Sequence, residues 1–500
     1  MFFALFHKKS KIRTRFAPSP TGYLHVGGLR TALYGYLTAK QSGGNFVVRI
    51  EDTDQTREVA GAVEDLLKSL KWAGLEPDEG VFLDKKDKIA EKGKFGPYRQ
   101  SKRVAIYQKY AQKLVDSRSA YYCFCSPERL ENLRQEQQAQ NQPTKYDGRC
   151  LGLTPDEIKE KLKNGEPRVI RMKIPAEQTI EFNDLIRGKV KFNSHDIDDQ
   201  ILIKSDGFPT YHLASVVDDH LMKITQIIRG EEWLSSTPKH ILLYQYFGWT
   251  PPEFAHLPLL LNPNKSKLSK RQGDAAVEDY RAQGYLPEAV INFVALLGWN
   301  PGLEQEIFSL AELIKIFDLK MAHRAGAIFN LEKLDWLNGE YIKKLSIAKF
   351  AELAKPFLEK NEINLPADLD LNKILKLEQQ RISHLNELGQ GIGFLLTENL
   401  KYEPQILIWK KSNKETALKC LEMLATELDK YGAEDWSQEK LQIKISEFIK
   451  TNNLNNGEVL WPMRVALTGL EKSPTPFEIA EILGQKKTLK RLRTAMDLLR

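Results

Sequence analysis

The feature that most limits how this chain can fold is a change of hydrophobic rhythm near residue 275. Before that point, strand-like and helix-like stretches alternate. Residues 12–16 read as a short strand and 28–41 as a helix ended by Gly43 and Gly44. Residues 46–50 read as a buried strand, 59–73 as a helix and 224–228 as another strand. Strand–helix–strand order implies right-handed crossovers and a parallel sheet. Residues 120–205 break the rhythm and read as an insertion with its own small core. Beyond 275, Leu and Ile recur at three- and four-residue spacing, with Pro or Gly breaks near 301, 355, 366 and 473. The expected architecture is an α/β first half, interrupted once, followed by an all-α second half. The boundaries give segments 11–119, 120–205, 206–248, 249–345 and 346–500.

A chain of 500 residues exceeds what one core usually holds. With 42% hydrophobic and 28% charged residues it is neither disordered nor fibrous. No apolar run approaches the roughly 20 residues of a membrane helix. The start, Met-Phe-Phe-Ala-Leu-Phe, turns basic at Lys8 and Lys9, the reverse of a secretory signal, so a cytoplasmic location and no membrane partner are expected. A net charge of +7 permits nucleic-acid binding without indicating it. The last residues are more lopsided, with Lys486, Lys487, Lys490, Arg491, Arg493 and Arg500 against Asp497; a solvated helix end explains this as well as RNA does.

Two loops carry chemistry. In the first, Arg15-Phe16-Ala17-Pro18-Ser19-Pro20-Thr21-Gly22-Tyr23-Leu24-His25-Val26-Gly27-Gly28, a strand ends at Phe16 and prolines stiffen the turn. The glycines admit close backbone approach where a helix begins, and amides there can bind phosphate. His25 can donate to a phosphate or ribose oxygen. In the second, Lys265-Ser266-Lys267-Leu268-Ser269-Lys270-Arg271-Gln272-Gly273, lysines could close over a triphosphate and stabilise charge as pyrophosphate leaves. Alone, each loop could be an ordinary Gly-rich turn or a solvated basic loop.

Together, a His-x-Gly loop after the first strand and a Lys-x-Ser-Lys loop about 240 residues later resemble the signatures of class I aminoacyl-tRNA synthetases. Leu268 and Arg271 replace the commonest Met and Ser. The stretches Arg49-Ile50-Glu51-Asp52-Thr53-Asp54, Pro209-Thr210-Tyr211-His212-Leu213-Ala214, Val217-Asp218-Asp219-His220 and Ile228-Arg229-Gly230-Glu231-Glu232-Trp233 are similar to the glutamyl-tRNA synthetase family, bacterial type, from about residue 11 to at least 340. The resemblance implies a Rossmann-type catalytic domain (11–119 and 206–248) that grips ATP at its switch point. It also implies an inserted acceptor-binding subdomain (120–205), a stem-contact region with the Lys-rich loop (249–345) and a helical anticodon-binding domain (346–500). The substrates would be ATP with Mg, L-glutamate and tRNA(Glu), and the chain is expected to work as a monomer.

The same resemblance assigns residues. His25, Gly27, Gly28, Lys267, Ser269 and Lys270 would bind ATP, with His25, Lys267 and Lys270 catalytic. Arg15, Ser19, Glu51, Tyr211, Ser215 and Arg229 would bind glutamate; Ser215 stands where the family often has Asn. Physically, a substrate with two carboxylates calls for two cationic groups, and arginines pair in two-pronged fashion. Arg381, in Gln379-Gln380-Arg381-Ile382-Ser383-His384-Leu385, would read an anticodon base. Asp218-Asp219 would organise the loop after Tyr211. The other histidines, His212, His240 and His256 among them, show no metal spacing and read as surface or satisfied core residues.

Of four cysteines, Cys123, Cys125 and Cys150 cluster and Cys420 stands apart. Thiolates suit zinc, and a structural site takes four ligands. Three reduced cysteines in a small packed insertion are the alternative. In related synthetases the fourth ligand is a His two residues after the last Cys or a Tyr four before it. Gly152 and Tyr146 stand there, so the resemblance points to Cys123, Cys125, Tyr146 and Cys150. Rival functions stay open: a tRNA-modifying paralogue lacks the helical half, and a glutaminyl enzyme usually has His at position 28. A small-molecule nucleotidyltransferase needs neither Arg15 nor Arg229, and a non-catalytic RNA-binding protein needs no nucleotide loops.

Overall fold

The computed structural model describes residues 11–268, 276–363 and 368–500, which fall into two compact units. One takes in residues up to Arg281 together with Pro287–Leu334; the other joins Ala282–Leu286 to Asp335–Arg500.

The first unit opens with β1 (Arg13–Phe16), α1 (Val26–Gln41), β2 (Asn45–Val48), α2 (Ala62–Trp72) and β3 (Glu79–Leu83). β1 pairs in parallel with β2, and β2 with β3; β4 (Ile89–Lys92) closes the edge antiparallel. Phe46, Val47 and Val48 are fully buried, as strands of a parallel sheet covered on both faces must be. Gly80 has φ +113, and a Cβ there would come within 2.0 Å of the Val48 carbonyl oxygen, so only glycine lets β3 approach β2.

The chain continues through α3 (Val104–Asp116), β5 (Ala120–Cys123), α4 (Pro127–Ala139), α5 (Pro155–Lys163), β6 (Val169–Met172), β7 (Thr179–Asp184), β8 (Gly188–Asn193) and β9 (Ile201–Ile203). Then α6 (Tyr211–Leu221) leads into β10 (Gln226–Gly230), and α7 (Thr237–Tyr246) into β11 (Glu253–Leu257), which pairs with β10 in parallel. β10 lies beside β1: the Thr225 N–H donates to the Arg13 carbonyl (2.9 Å) and the Arg13 N–H to Thr225 Oγ1 (2.8 Å). The strands therefore run β3–β2–β1–β10–β11, and the order reverses at β1 and β10, where open α/β sheets bind ligands.

The segment read as an insertion divides in two. β5, β6 and β9 form a separate antiparallel sheet, whereas β7 and β8 form a hairpin that joins β11 through Phe254 and Asp184. Asp218 and Asp219, expected to organise a loop, lie inside α6. The preceding Thr210 leaves extended backbone there, and Leu213, Ala214, Val216 and Val217 pack the helix into the core.

The second unit is helical, as the periodicity predicts. Leu421, Leu424, Leu441, Ile445, Met463 and Leu492 are among the buried residues at its centre. Its last helix (Pro476–Leu499) starts with Pro476 inside a capping box, in which Thr475 and Glu478 satisfy each other's backbone N–H. The break expected near 355 does not occur: Pro356 sits within the helix Ile347–Lys360. Pro356 is exposed, so the carbonyl it leaves unpaired can face water. The break expected near 366 lies outside the described residues.

Candidate active site

The site begins where β1 ends. His25 caps α1, and its Nδ1 accepts from the Gly28 N–H at 3.3 Å. An accepting Nδ1 puts the proton of the neutral ring on Nε2, which fits His25 as a donor to an anionic oxygen. The cap also explains the glycines. A Cβ at Gly27 would meet the His25 ring at 3.0 Å, and one at Gly28 would meet Leu24 at 2.8 Å.

A cleft of about 890 Å³ opens over the carboxyl ends of β1 and β10, lined by Arg15, Ser19, His25, Glu51, Tyr211 and Arg229 among others. A second cleft of about 330 Å³ is lined by His25, Gly27, Gly28 and Lys267, and shares His25, Gly28, Thr31, Gly230 and Glu232 with the first. Lys267 pairs across a tight hairpin with Leu261, while Leu268 is buried against the fold. Ser269 and Lys270 lie outside the described residues. Ser215 does not line either cleft; its hydroxyl turns to Asp219 at 3.5 Å inside α6. As a direct glutamate contact it is therefore not supported by its position.

Behind the cleft lies a buried charge cluster. Arg15 Nε meets Asp219 at 3.1 Å, and Arg49 meets Asp219 and Glu51 at 2.8 Å each. Asp218 accepts from Arg103 (2.8 Å), Gln100 (2.9 Å) and the Tyr107 hydroxyl (2.8 Å). Arg15, Arg49 and Arg103 balance Glu51, Asp218 and Asp219, so the cluster is neutral as buried charge requires. Burial pushes the Glu51 carboxyl upward, and Arg49 and Arg15 only partly offset that. Burial also opposes charge on Asp219, but Arg15 and Arg49 outweigh it and hold that carboxyl below its ordinary value.

The two arginines expected to grip carboxylates differ. Arg15 spends only Nε on Asp219, and its Nη1 and Nη2 have no hydrogen-bond partner among the described residues, so a two-pronged contact is open to it. Arg229 has all five N–H groups engaged. Nε donates to His256 Nε2 (3.0 Å). Nη1 donates to the Tyr211 hydroxyl (2.8 Å) and His240 Nδ1 (3.3 Å). Nη2 donates to Thr237 Oγ1 (2.9 Å) and the Trp233 carbonyl (3.4 Å). The Tyr211 oxygen accepts from Arg229, which leaves the phenol's own proton available to another acceptor. Glu51 Oε1 is held by Arg49, and Oε2 has no partner among the described residues.

Comparison with known proteins decides the family. Residues 11–336 match the model of the class I tRNA synthetase catalytic domain for E and Q, and residues 349–496 match that of an anticodon binding domain. A glutamate–tRNA ligase of Chloroherpeton thalassium is 46% identical over 97% of this chain and 98% of its own. The chain belongs to the glutamate–tRNA ligase family. Another such ligase, from Clostridium botulinum, is 47% identical over 98% of this chain and 99% of its own. The crystal structure of a glutamate tRNA ligase from Elizabethkingia meningosepticum in complex with its amino acid superposes with a TM-score of 0.87 at 38% identity, covering 98% of this chain and all of that one. This enzyme is thus a class I aminoacyl-tRNA synthetase, and full-length similarity to ligases sets aside the base-modifying, nucleotidyltransferase and non-catalytic alternatives.

Two further features of this synthetase lie outside the cleft. Cys123, Cys125 and Cys150 are free thiols whose Sγ atoms all lie within 4.8 Å of one another. The Tyr146 hydroxyl lies 3.5 Å from Cys123 Sγ and 3.4 Å from Cys125 Sγ, and the Cys125 and Cys150 sulfurs are 3.6 Å apart. With metal–sulfur bonds of about 2.3 Å, the edge of a zinc tetrahedron is about 3.8 Å. The four side chains fit that polyhedron. Arg381 follows the helix Leu371–Gln379; it is exposed and lies 3.5 Å from Glu478. Among the described residues, no helix is long and apolar enough to cross a membrane.

Proposed function

We propose that this chain activates L-glutamate with ATP, as its magnesium complex, and transfers it to the 3′ end of tRNA(Glu) through the residues of the paired clefts. The observation that carries this reading is the pairing itself. A cleft walled by Arg15, Glu51, Tyr211 and Arg229 opens directly into one walled by His25, Gly27, Gly28 and Lys267. Arg15 offers the open N–H groups of Nη1 and Nη2 to a carboxylate, the unpartnered Glu51 oxygen suits the substrate ammonium, and Ser19 lines the same wall. The α-carboxylate attacks the α-phosphate, forming the acyl–phosphate bond as pyrophosphate leaves. The terminal tRNA hydroxyl then attacks the carbonyl and AMP departs. No protein nucleophile is needed. His25, Lys267 and Lys270 stabilise phosphate charge, and the clefts hold the reactants in line. Lys267→Ala is expected to lower glutamate-dependent ATP–pyrophosphate exchange, measured with tRNA present, by about 10²–10³-fold. Glutamate binding by calorimetry should stay near wild type. Wild-type exchange by the variant would remove Lys267 from the mechanism.

In the same reading, residues 120–205 contact the acceptor end, 249–345 the stem and 346–500 the anticodon, with Arg381 leaving Glu478 for a base. The chain works as a monomer. Cys123, Cys125, Cys150 and Tyr146 hold a structural zinc, which would tie β5 to the turn after α4. Metal analysis of the purified chain should then find about one zinc per chain, with none in Cys150→Ser. Metal-free wild type would assign the cluster to packing alone.

A further inference from the structure

The surroundings of Arg229 hold a device that the proposed chemistry does not use. Arg229 is only 5% exposed, yet among the described residues no carboxylate lies within ion-pair distance of it. Arg15, across the cleft, has Asp219. An arginine keeps its protons, so each ring nitrogen that Arg229 addresses must present a lone pair. His256 Nε2 is then bare, and Nδ1–H donates to Asp184 Oδ2 at 2.6 Å. His240 Nδ1 is bare likewise, and its Nε2–H donates to His212 Nδ1 at 3.1 Å. A continuous chain, Asp184–His256–Arg229–His240–His212, thus runs through the guanidinium, whose donated N–H groups fix the tautomers of both rings.

We propose that His256 and His240 are positioning residues that hold Arg229 as neutral acceptors and leave its positive charge to the side-chain carboxylate of glutamate. The inference rests on the reading of this cleft as the glutamate site. Carboxylates in those two places would orient the guanidinium equally well but would neutralise it. Neutral imidazoles orient it and leave a buried cation without a counter-charge, which is unfavourable until an anion enters. Glutamate supplies that anion and glutamine does not. The surroundings keep the rings neutral. Burial lowers the basicity of His256 in spite of Asp184, with Arg229 and Arg187 pushing the same way. Burial drives His240 well below its ordinary range, aided by Arg229, His212 and Arg15. Of these neighbours only Asp184 favours a protonated ring.

The test compares His256→Gln, whose amide oxygen can take the place of Nε2 as an acceptor, with His256→Leu, which removes it. Loss of a buried acceptor should raise the glutamate KM of His256→Leu about 10- to 100-fold, with the ATP KM within about threefold of wild type and His256→Gln close to wild type. Equal rises in both KM values, or an unchanged glutamate KM in His256→Leu, would overturn the proposal. If His256→Leu does not fold, nitrogen NMR of the wild-type histidines decides. Each of the two rings should carry one bare and one protonated nitrogen from about pH 8 to about pH 6, and a doubly protonated ring at neutral pH would overturn it. A wild type that shows no exchange with glutamate would overturn the reading of the cleft, while the NMR result would still report on the cage.

Discussion

Replacing Asp219 with alanine should destabilise the chain more than any other single change at the site, by about 3–5 kcal/mol out of a total of about 5–15. Asp219 is 1% exposed and is the shared partner of Arg15 and Arg49. Without it two buried guanidinium groups face only Glu51 and Asp218, and the cluster carries an unbalanced positive charge. Urea denaturation measures the loss directly, and Asp219→Asn, which keeps the volume, should recover only part of it. The carboxyl is held below its ordinary value although burial opposes charge there, because Arg15 and Arg49 prevail. Its contribution is therefore fully present above the unfolded-chain value of about 4 and is lost as pH falls through the lower folded value. Wild type should weaken in that acid window, and the variant should have less left to lose. A variant as stable as wild type would show that Arg15 and Arg49 do not need this partner.

Arg15→Lys should do the opposite, sparing the fold and damaging the chemistry. Lysine keeps the charge opposite Asp219, so melting should shift little. It cannot supply the two adjacent N–H groups that Arg15 leaves open to the cleft. Two charge-assisted hydrogen bonds at about 1.5–3 kcal/mol each set the scale. The kcat/KM for glutamate should therefore fall by about 10²–10⁴-fold, measured by exchange with tRNA present, while the ATP KM stays near wild type. A tenfold or smaller loss would mean that Arg15 serves the cluster behind it rather than the substrate.

Much of this site was legible because its residues sit inside short, chemically loaded stretches. His25 between a strand and two glycines, Glu51 after a buried strand, and Tyr211 and Arg229 in polar runs all line the clefts. Less legible was everything that depends on partners far apart in sequence. Arg49 gave a signal, since a charge inside Phe46-Val47-Val48-Arg49-Ile50 must find a counter-charge, but nothing local says that it is Asp219, 170 residues on. His256 and Asp184 are 72 residues apart and meet only because β7 joins β11. The strand β11 escaped notice for the same reason: Glu253 and His256 make it read as polar until Asp184 is seen against it. Ser215 shows the converse. The resemblance put it in the pocket, at a position where the family often has Asn, but the helical turn of α6 carries its hydroxyl back to Asp219.

In the proposed reaction the cleft over β1 and β10 takes the side-chain carboxylate of glutamate, and the adjoining cleft holds the phosphates on which the α-carboxylate is activated. Charging of purified tRNA(Glu) with ATP and either labelled glutamate or labelled glutamine tests it most directly. Glutamate should be attached to the tRNA and glutamine should not, because only glutamate brings a side-chain anion to the uncompensated charge of Arg229. Charging with glutamine at a comparable rate, or none with glutamate, would contradict the account.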